Sequence, residues 1–490
     1  MTNIEAKFLD ATRWRGLLFT GEWTRGQGPV ITVTDKAAGT VLGELGSATP
    51  KDVEHAVWIA SKAQSLWAAR TVEEKQAVFR RAMNLLEKAS SEMGEWIARE
   101  SGGTRAKAEG ELRRAHTILS EAYAMPAEAC GMVLPTTTGR LSLARRLPHG
   151  LVGVIAPFNY PLVLALRAVA PALAVGNAVL LKPDPQTAVS GGVLIARLFE
   201  EAGLPPGLLQ LLPGDSAVGE AICVHPSIPM IAFTGSTRAG RRVGELAGRH
   251  LKRVSLELGG KNSLIVRADA DLKLAATNAA FASWMHQGQI CMAAGRILVH
   301  RTVADELTQR LVEKAQRLKV GDPMADGVDL GPLINARQVE HVQSVVDDSV
   351  SAGARLLAGG SHTGLFFLPT VLGSVSKGMR AYEEEIFGPV ACITPFDDDE
   401  QAVEMANDSD YGLSVGILSR DVRAALAMGN ELRTGLLQIN DQTIVSGGQI
   451  PFGGRGCSGN GSRIGGPANW EEFTQWQWVA INGQAPSYPF

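Results

Sequence analysis

The sequence predicts two doubly wound α/β domains plus a small β-arm, and three of its features carry that prediction. Short apolar runs alternate with helix-like segments over residues 151–258, and again after Gly259-Gly260. Strands that are apolar on both faces and alternate with helices are typical of βαβ units in a parallel sheet. The chain has 490 residues, which is too many for one hydrophobic core. Two further strand-like segments, 132–147 and 473–481, belong to neither series.

Residues 49–128 are predicted to form amphipathic helices. Thr49 is a cap residue, and Pro50 and Asp52 follow it in the first turn, ahead of apolar residues at helical spacing. The segment 71–74 has the pattern of a capping box before a second apolar stripe. These stripes indicate that the helices cover one face of a larger unit.

Ten apolar runs are predicted to be the buried strands of the two sheets. The first five are 151–156, 178–181, 208–212, 230–233 and 254–256, and the second five are 263–266, 296–299, 390–394, 415–418 and 436–439. The whole stretch 151–181 is apolar, but its prolines and Arg167 favour a buried strand–helix–strand over a membrane span. We expect the two series to meet near residue 259, with a cleft between them.

The predicted domain boundaries follow from this pattern. Residues 1–129 and 149–258 form the first domain, 259–455 the second, and 130–148 with 473–490 the arm. In the arm, Trp476 and Trp478 alternate with glutamines, which is the period of a half-buried strand. A projecting strand needs a partner to bury its apolar side, so we expect a homodimer or homotetramer.

Composition excludes several classes of protein. Lys and Arg total 47 against 50 for Asp and Glu, so the net charge is −3 and no basic excess favours nucleic acid. The five cysteines are widely spaced and contain no CxxC pair, which argues against a disulfide framework or a zinc site and fits the reducing cytoplasm. Residues 1–25 lack the pattern of a secretory signal. We therefore expect no metal, nucleic-acid or membrane partner.

The usual nucleotide-binding motifs are absent. The glycines at 459, 461 and 465 miss the dinucleotide fingerprint by one place. Gly235 and Gly240 have P-loop spacing without the Lys and Ser/Thr that should follow. Segment 233–240 nevertheless follows a strand and opens a helix, so its free N–H groups could hold a pyrophosphate. An ordinary strand–helix turn is the alternative.

Cys291 is the candidate nucleophile. It is flanked by glycine and amide residues at the end of a helix-like segment, where a substrate could approach the sulfur. The alternative is a small buried hydrophobic residue. The other cysteines fit that alternative, because Cys130, Cys223 and Cys392 have apolar neighbours and Cys457 lies in a glycine-rich loop.

Three further polar residues stand at strand ends. Glu257 ends an apolar run, where burial would raise its pKa and suit a general base, although an ion pair with Lys261 is equally compatible. Asn159 follows the first strand, either as a turn residue or as an amide donor to an oxyanion. Lys182 ends the second strand. Its side chain either contacts a ligand at the carboxyl edge, where open α/β sheets bind ligands, or reaches solvent.

Together these segments resemble the aldehyde dehydrogenase superfamily from about residue 20 to 480. The motifs that carry the resemblance come in the order of that family: 156–161 (around Asn159), 181–183 (Lys182), 233–237, 256–261 (Glu257), 288–291 (Cys291), 384–390 (Glu385), 411–414 and 451–454. The resemblance implies a Rossmann-like cofactor domain, a catalytic domain and a bridging arm.

The resemblance also implies a mechanism. Cys291 would attack an aldehyde to give a thiohemiacetal, whose oxyanion Asn159 and the Cys291 N–H would stabilise. Hydride transfer to a nicotinamide would leave a thioester, which water activated by Glu257 would hydrolyse. Retention of Glu257 argues against the acylating class that transfers the thioester to coenzyme A. Retention of all three residues argues against a non-catalytic binding protein.

The cofactor residues implied by the resemblance are Lys182 at the adenosine ribose, Ser236 at the pyrophosphate, and Glu385 and Phe387 at the nicotinamide end. Pro157, Phe158 and Gly235 complete this set. Many NAD-preferring members carry Glu where Pro185 stands, and here the acid comes one place early, at Asp184. We therefore expect NAD, with NADP as an alternative.

The motifs around residues 157–161, 182–187 and 447–452 look most similar to the benzaldehyde dehydrogenase branch. If the family pose holds, the substrate tunnel is lined by Tyr160, Leu164, Trp284, Met285, Ile290 and Ile444. These residues are apolar or aromatic, and the set offers no cation. Such a tunnel suits a flat aromatic aldehyde. Aliphatic aldehydes or a broad specificity are the alternative, because apolar walls discriminate weakly.

Overall fold

The computed structural model describes residues 7–445 and 447–490. Its β-strands are β1 (Leu17–Phe19), β2 (Trp23–Arg25), β3 (Ile31–Thr34), β4 (Val41–Leu45), β5 (Gly131–Val133), β6 (Arg140–Pro148), β7 (Leu151–Ile155), β8 (Ala178–Lys182), β9 (Leu209–Leu211), β10 (Met230–Thr234), β11 (Arg253–Glu257), β12 (Asn262–Val266), β13 (Ala294–His300), β14 (Arg355–Ala358), β15 (His362–Thr363), β16 (Phe366–Phe367), β17 (Thr370–Gly373), β18 (Val390–Phe396), β19 (Tyr411–Gly412), β20 (Ser414–Leu418), β21 (Leu436–Ile439), β22 (Arg455–Gly456) and β23 (Thr474–Asn482).

The α-helices surround these strands. They are α1 (Pro50–Ala68), α2 (Val72–Lys88), α3 (Ser90–Ser101), α4 (Arg105–Ala124), α5 (Pro161–Ala174), α6 (Leu194–Glu201), α7 (Ser216–Val224), α8 (Thr237–Arg249), α9 (Leu272–Trp284), α10 (Arg301–Arg317), α11 (Ala336–Ser351), α12 (Arg380–Glu383), α13 (Asp399–Asn407), α14 (Val422–Gly429) and α15 (Ala468–Phe473). The predicted capping box is present at the start of α2, and α1 begins with a capping box as well.

Two seven-stranded sheets organise the molecule. The first has the order β11-β10-β7-β8-β9-β1-β2 and the second β14-β17-β18-β13-β12-β20-β21. Strands β7 to β11 are parallel, as are β17, β18, β13, β12, β20 and β21, whereas β1, β2 and β14 pair antiparallel at the edges. The predicted fold class, two doubly wound α/β domains, is confirmed.

The strand order of the first sheet creates a binding crevice. The chain moves outward from β7 through β8 to β9, then returns to the other side of β7 for β10 and β11. Connections that leave in opposite directions open a crevice at the carboxyl ends of β7 and β10, which is where ligands bind in open α/β sheets. Asn159 and Gly235 lie just beyond those two strand ends.

Helix α5 accounts for the long apolar stretch between β7 and β8. Every residue of α5 is buried except Leu164, and the helix packs against α4 and against β8. Burial on all sides explains its composition, since a helix that is apolar all round is a core helix or a membrane span. Among the residues described, no helix is both long and apolar enough to cross a bilayer.

A buried ion pair anchors the start of α5. Lys107 and Glu111 of α4 are fully buried and bonded to each other, at 2.5 Å between Nζ and Oε2. The other carboxylate oxygen of Glu111 accepts hydrogen bonds from the backbone N–H groups of Leu162 (2.9 Å) and Val163 (3.1 Å). Glu111 thus caps the N-terminus of α5, which begins two residues after Asn159.

We expect Glu111→Ala to lower the free energy of unfolding by about 3–5 kcal/mol, because it leaves Lys107 as an uncompensated buried charge. Urea denaturation measures this change. The matched control is Glu109→Ala on the exposed side of α4, whose effect should stay within about 0.5 kcal/mol. Equal stabilities for the two variants would contradict the anchoring role of Glu111.

The predicted strand-like segments outside both series form a third sheet. Strand β23 pairs antiparallel with β6 along nine residues, and β5 adds to the other side of β6. Trp476 and Trp478 are 44% and 64% exposed, and each lies under an arginine of β6. The sheet therefore presents a ridge of aromatic and basic side chains to solvent.

The glycine-rich segment 458–462 covers the free edge of β11. Gly459 forms a bridge with Glu257, and the backbone N–H of Leu258 donates to the carbonyl of Ser458 (3.0 Å). The Asn460 side chain accepts from the N–H of Leu256 (3.1 Å) and donates to the carbonyl of Val254 (2.8 Å). A segment distant in sequence thus supplies hydrogen-bond partners to backbone groups at the free edge of β11, the strand that ends at Glu257.

Candidate active site

A cavity of about 260 Å³ lies at the crevice of the first sheet, where residues of the second domain close over it. Ten of the residues predicted for the site line it: Pro157, Phe158, Asn159, Leu164, Gly235, Ser236, Glu257, Cys291, Glu385 and Phe387. Five lining residues were not predicted from the sequence: Thr234, Leu258, Gly259, Gln338 and His341. Thr234, Leu258 and Gly259 lie inside the motifs 233–237 and 256–261, whereas the polar side chains of α11 come from a segment with no motif.

The loop that carries Cys291 is held by side-chain amides. Asn262 at the start of β12 donates to the carbonyls of Cys291 (2.8 Å) and Ala293 (2.9 Å). Asn159 donates from Nδ2 to the carbonyl of Gln289 at 2.9 Å. A Cβ on Gly260 would lie 2.9 Å from the Cys291 carbonyl oxygen, so the loop approaches too closely for another residue there. These contacts fix the position of the Cys291 backbone.

The surroundings of the Cys291 sulfur favour the thiol over the thiolate. Burial, followed by the nearby carboxylates of Glu385 and Glu257, raises the pKa of Cys291 to about 12, against a smaller opposing effect of Arg167. A thiol must lose its proton to become a nucleophile. This site therefore needs a base close to the sulfur.

Glu257, the predicted base, lines the same cavity as Cys291. It ends β11 and is 4% exposed, and neither carboxylate oxygen has a hydrogen-bond partner in the described part of the chain. Burial raises its pKa well above the ordinary range, opposed by the cations Arg167 and Arg463. The alternative ion pair with Lys261 is not formed, since the Lys261 ammonium donates to the carbonyl of Ala381 (2.9 Å). An unpaired buried carboxyl with a raised pKa suits general-base chemistry.

The remaining cysteines lie away from this chemistry. Cys223 and Cys392 are buried as predicted, and Cys457 is partly exposed, with its sulfur 3.2 Å from Nη2 of Arg241. The prediction of apolar surroundings for Cys130 is wrong, because this residue is exposed just before β5. Its apolar neighbours in sequence lie on an edge strand that faces solvent.

Glu385 and Phe387, predicted to lie at the nicotinamide end, both line the cavity. Glu385 accepts from the backbone N–H of Gly260 (3.0 Å), and its burial raises its pKa to about 7. Phe387 has a positive φ of 52° and contacts Phe158 edge to face, with ring centroids 5.8 Å apart. A carboxylate beside two aromatic faces matches a ribose attached to a flat ring.

The pyrophosphate and adenosine ends also fit a dinucleotide. Ser236 caps α8, so the free N–H groups of that helix start point into the crevice. Lys182 ends β8, is buried, and makes no hydrogen bond with the described residues. Burial lowers the pKa of Lys182, whereas the carboxylates of Asp184 and Asp215 act to raise it. An ammonium without a protein partner is available to ribose hydroxyls. The Asp184 carboxylate instead accepts from the N–H of Gln186 (2.9 Å) and caps the turn that Pro185 begins.

The family model for the "Aldehyde dehydrogenase family" matches residues 23–479. The chain belongs to the aldehyde dehydrogenase family. It is 49% identical over 484 residues to a vanillin dehydrogenase of Amycolatopsis sp., covering 99% of this chain and 100% of that protein. It is 47% identical over 478 residues to benzaldehyde dehydrogenase [NAD(+)] of Pseudomonas putida, covering 97% and 98%.

Solved structures of aldehyde dehydrogenases have the same fold. Betaine aldehyde dehydrogenase of Staphylococcus aureus in complex with NAD+ superposes with a TM-score of 0.94 at 28% identity, covering 100% of this chain and 98% of that one. An aldehyde dehydrogenase of Brucella melitensis gives a TM-score of 0.94 at 31% identity, covering 99% and 100%.

On the substrate side of this aldehyde dehydrogenase, only Leu164 of the predicted tunnel residues lines the cavity. Trp284 lies outside it, because the tryptophan at the end of α9 packs into the core of the second sheet. Tyr160, Ile290 and Ile444 are buried in the adjoining core, with Met285 partly buried against it. Their place in a tunnel stays a prediction.

A cation that the sequence analysis did not assign to the site lies on α5. Arg167 of α5 is buried, and its charge acts on both Cys291 and Glu257. The residues Tyr160, Leu164 and Arg167 recur at i, i+4 and i+7, which places them on one helix face. That spacing was the signal in the sequence, hidden by the otherwise apolar composition of α5. Nowhere in the described chain do three His, Cys, Asp or Glu side chains group as a metal site.

Proposed function

We propose that this protein oxidises benzaldehyde-like aromatic aldehydes to carboxylic acids with NAD+. The observation that carries the proposal is that Cys291, Glu257 and Asn159 line one cavity beside a crevice suited to a dinucleotide. Relatives named benzaldehyde dehydrogenase and vanillin dehydrogenase, at 47% and 49% identity over nearly the whole chain, support the aromatic substrate and NAD+.

In the first half of the reaction, Glu257 accepts the proton of the Cys291 thiol. The sulfur then bonds to the aldehyde carbon, and the carbonyl π-electrons move to the oxygen. The Asn159 amide has one N–H committed to the Gln289 carbonyl, which orients the group so that the other N–H can donate to the oxyanion. NAD+, when bound, accepts the hydride of the aldehyde carbon.

In the second half, Cys291 holds the acyl group as a thioester. Glu257 releases the thiol proton to solvent and, ionised again, takes a proton from a water molecule, whose oxygen bonds to the thioester carbon. The carbon–sulfur bond breaks, the carboxylic acid leaves, and the proton returns to Cys291. The low polarity around Glu257, which raises its pKa, makes it a stronger base once ionised.

The cofactor is proposed to lie with its adenosine ribose at Lys182, its pyrophosphate at Gly235 and Ser236, and its nicotinamide end between Pro157, Phe158, Glu385 and Phe387. The unpartnered ammonium of Lys182 and the helix start at Ser236 support this placement.

We expect the purified protein to form NADH faster than NADPH, and to use benzaldehyde with a higher kcat/KM than hexanal. Initial rates of cofactor reduction with both aldehydes and both cofactors, with and without coenzyme A, measure this. Acid should be the product in every case, since Glu257 supplies the base for hydrolysis.

Four outcomes of these assays would contradict the proposal. A preference for hexanal would contradict the aromatic substrate, and faster NADPH formation would contradict the cofactor. An absolute requirement for coenzyme A, or no reduction of either cofactor, would contradict the hydrolytic mechanism itself.

For assembly, we propose a homodimer or homotetramer formed through the β5-β6-β23 sheet, in the cytoplasm. The exposed Trp476 and Trp478 support the interface, and five unpaired cysteines support a reducing compartment. Sedimentation of the wild type and of Trp478→Glu tests the interface, and a monomeric wild type would contradict it.

A further inference from the structure

Three consecutive residues with left-handed backbone angles come shortly before Cys291. His286, Gln287 and Gly288 have φ values of 49°, 56° and 67°. Glycine adopts such angles freely, whereas in any other residue the Cβ crowds the backbone and makes the conformation costly. Strained residues of this kind persist only where the surrounding structure holds them. The 286–288 turn must therefore be held in place by other parts of the fold.

The side chain of Gln287 attaches the turn to the end of α3. Gln287 is 1% exposed, and its Nε2 donates a buried hydrogen bond to the carbonyl of Gly102 (3.0 Å), the residue after α3. A Cβ on Gly331 would lie 2.8 Å from this Nε2 and still closer to the Gly102 oxygen. The amide of Gln287 thus fills a space that any side chain at position 331 would occupy. It joins the turn to a helix that is distant in sequence.

The backbone of the turn also packs directly against the segment that carries Phe387. A Cβ on Gly288 would collide with the carbonyl oxygen of Gly388 and would lie 2.9 Å from that of Ser283. Backbones meet here without a side chain between them, and closely packed groups transmit a displacement to their neighbours. A shift of the turn would therefore disturb the wall of the cavity that contains Phe387.

The turn leads directly to the reacting sulfur. The backbone N–H of Gln289 donates to the carbonyl of His286 (3.0 Å), which closes the turn. The carbonyl of Gln289 accepts the hydrogen bond from Asn159, and its Oε1 accepts from the N–H of Ile334 (3.0 Å). Cys291 follows two residues later. A movement of the turn would therefore reach both the nucleophile and the proposed oxyanion donor.

We propose that Gln287 is a positioning residue, whose bond to Gly102 holds the 286–288 turn in its strained conformation and thereby sets the place of the Cys291 sulfur. The inference rests on the proposed aldehyde oxidation, in which that sulfur must reach the aldehyde carbon and lie near Glu257. Gln287 is not among the residues that line the cavity, so it acts through the backbone. A misplacement of about 1 Å can slow a reaction by about 100-fold.

The test replaces Gln287 by leucine, which has a similar size and no amide. With benzaldehyde and NAD+, kcat should fall roughly 10- to 100-fold, because the sulfur is displaced. KM for either substrate should change by less than about threefold, since Gln287 contacts neither of them. Melting curves of the variant and the wild type report the accompanying loss of stability.

The matched control is Gln210→Leu. Gln210 is fully buried in β9, and its Nε2 donates to the carbonyl of Gly207 (2.6 Å). Its Oε1, like that of Gln287, has no hydrogen-bond partner in the described part of the chain. Each substitution removes one buried hydrogen bond of the same kind, so the two melting temperatures should fall by similar amounts. Only Gln287→Leu should lower kcat.

Alkylation of the sulfur gives a readout that needs neither cofactor nor aldehyde. The rate at which iodoacetamide modifies Cys291 is followed by mass spectrometry of the peptide that contains it. A sulfur displaced from Glu257 loses its nearby base, so this rate should fall about fivefold or more in Gln287→Leu. It should stay unchanged in Gln210→Leu. Exposed Cys130 serves as the internal reference in each sample.

Gln287→Asn covers the case in which the leucine variant does not fold. Asparagine adopts left-handed backbone angles more readily than most residues that have a Cβ. Its amide, however, is one methylene too short to reach the Gly102 carbonyl. This variant should show the same losses of kcat and of alkylation rate.

The outcomes separate this inference from the proposed function. Losses of kcat and alkylation rate no larger than those of Gln210→Leu would overturn the inference, while benzaldehyde oxidation by the wild type would leave the proposed function standing. A loss confined to KM would also overturn it, since Gln287 would then act on binding. A wild type that oxidises no aldehyde would refute the proposed function, and the alkylation rates would still decide whether Gln287 positions the sulfur.

Discussion

Replacing Cys291 by alanine is expected to reduce NADH formation by about four orders of magnitude or more. The sulfur is the only atom of this cavity proposed to bond to the substrate, and losing a nucleophile removes the whole covalent route. The measurement is kcat with benzaldehyde and saturating NAD+. Loss of the thiol should leave cofactor binding intact, because Lys182, Ser236 and Glu385 lie on other segments.

The matched control for Cys291→Ala is Cys130→Ala. Cys130 is exposed before β5, far along the chain from the crevice, so its loss should leave kcat within about twofold of the wild type. Thermal melting of both variants checks that the fold is retained. Substantial NADH formation by a folded Cys291→Ala protein would refute the covalent mechanism.

Changing Glu257 to glutamine is expected to lower kcat roughly 10²- to 10⁴-fold, because the isosteric amide cannot accept a proton. With the base removed, hydrolysis of the thioester should become the slowest step. The acyl group should then accumulate on Cys291, where mass spectrometry of the intact protein detects it. Glu109→Gln, on an exposed helix surface, is the control and should show neither effect.

The pH dependence follows from the same residue. Burial raises the pKa of Glu257 well above its ordinary range, so a larger fraction of the carboxyl is protonated and inactive at low pH than an exposed glutamate would show. Wild-type kcat should therefore rise with pH as Glu257 loses its proton. The residual activity of Glu257→Gln should lack this rise. An unchanged profile in the variant, with no acyl-enzyme, would contradict the assignment of the base.

The strands were predictable from the sequence because most of them are buried on both faces. The ten apolar runs coincide within two residues at each end with β7 to β11 and with β12, β13, β18, β20 and β21. The edge strands β2 and β14 and the adjoining β1 were not predicted, since they are short and partly exposed and therefore lack a continuous apolar run. Strand β17 is buried but only four residues long.

The catalytic side of the site was predictable because its residues occur in short motifs. Asn159 follows β7, Glu257 ends β11 and Cys291 lies in the loop before β13. All three line one cavity. The substrate side was not predictable in the same way. Trp284 and Arg167 are both on helices, where the direction of a side chain depends on how the helix packs, and packing is a tertiary property.

The cover that segment 458–462 provides over β11 has a consequence for the order of synthesis. A ribosome releases Glu257 about two hundred residues before Gly459. During that interval, the strand that carries the proposed base has an unpaired edge, which can pair with another nascent chain. The exposed edge of β11 is therefore covered only after segment 458–462 has been synthesised.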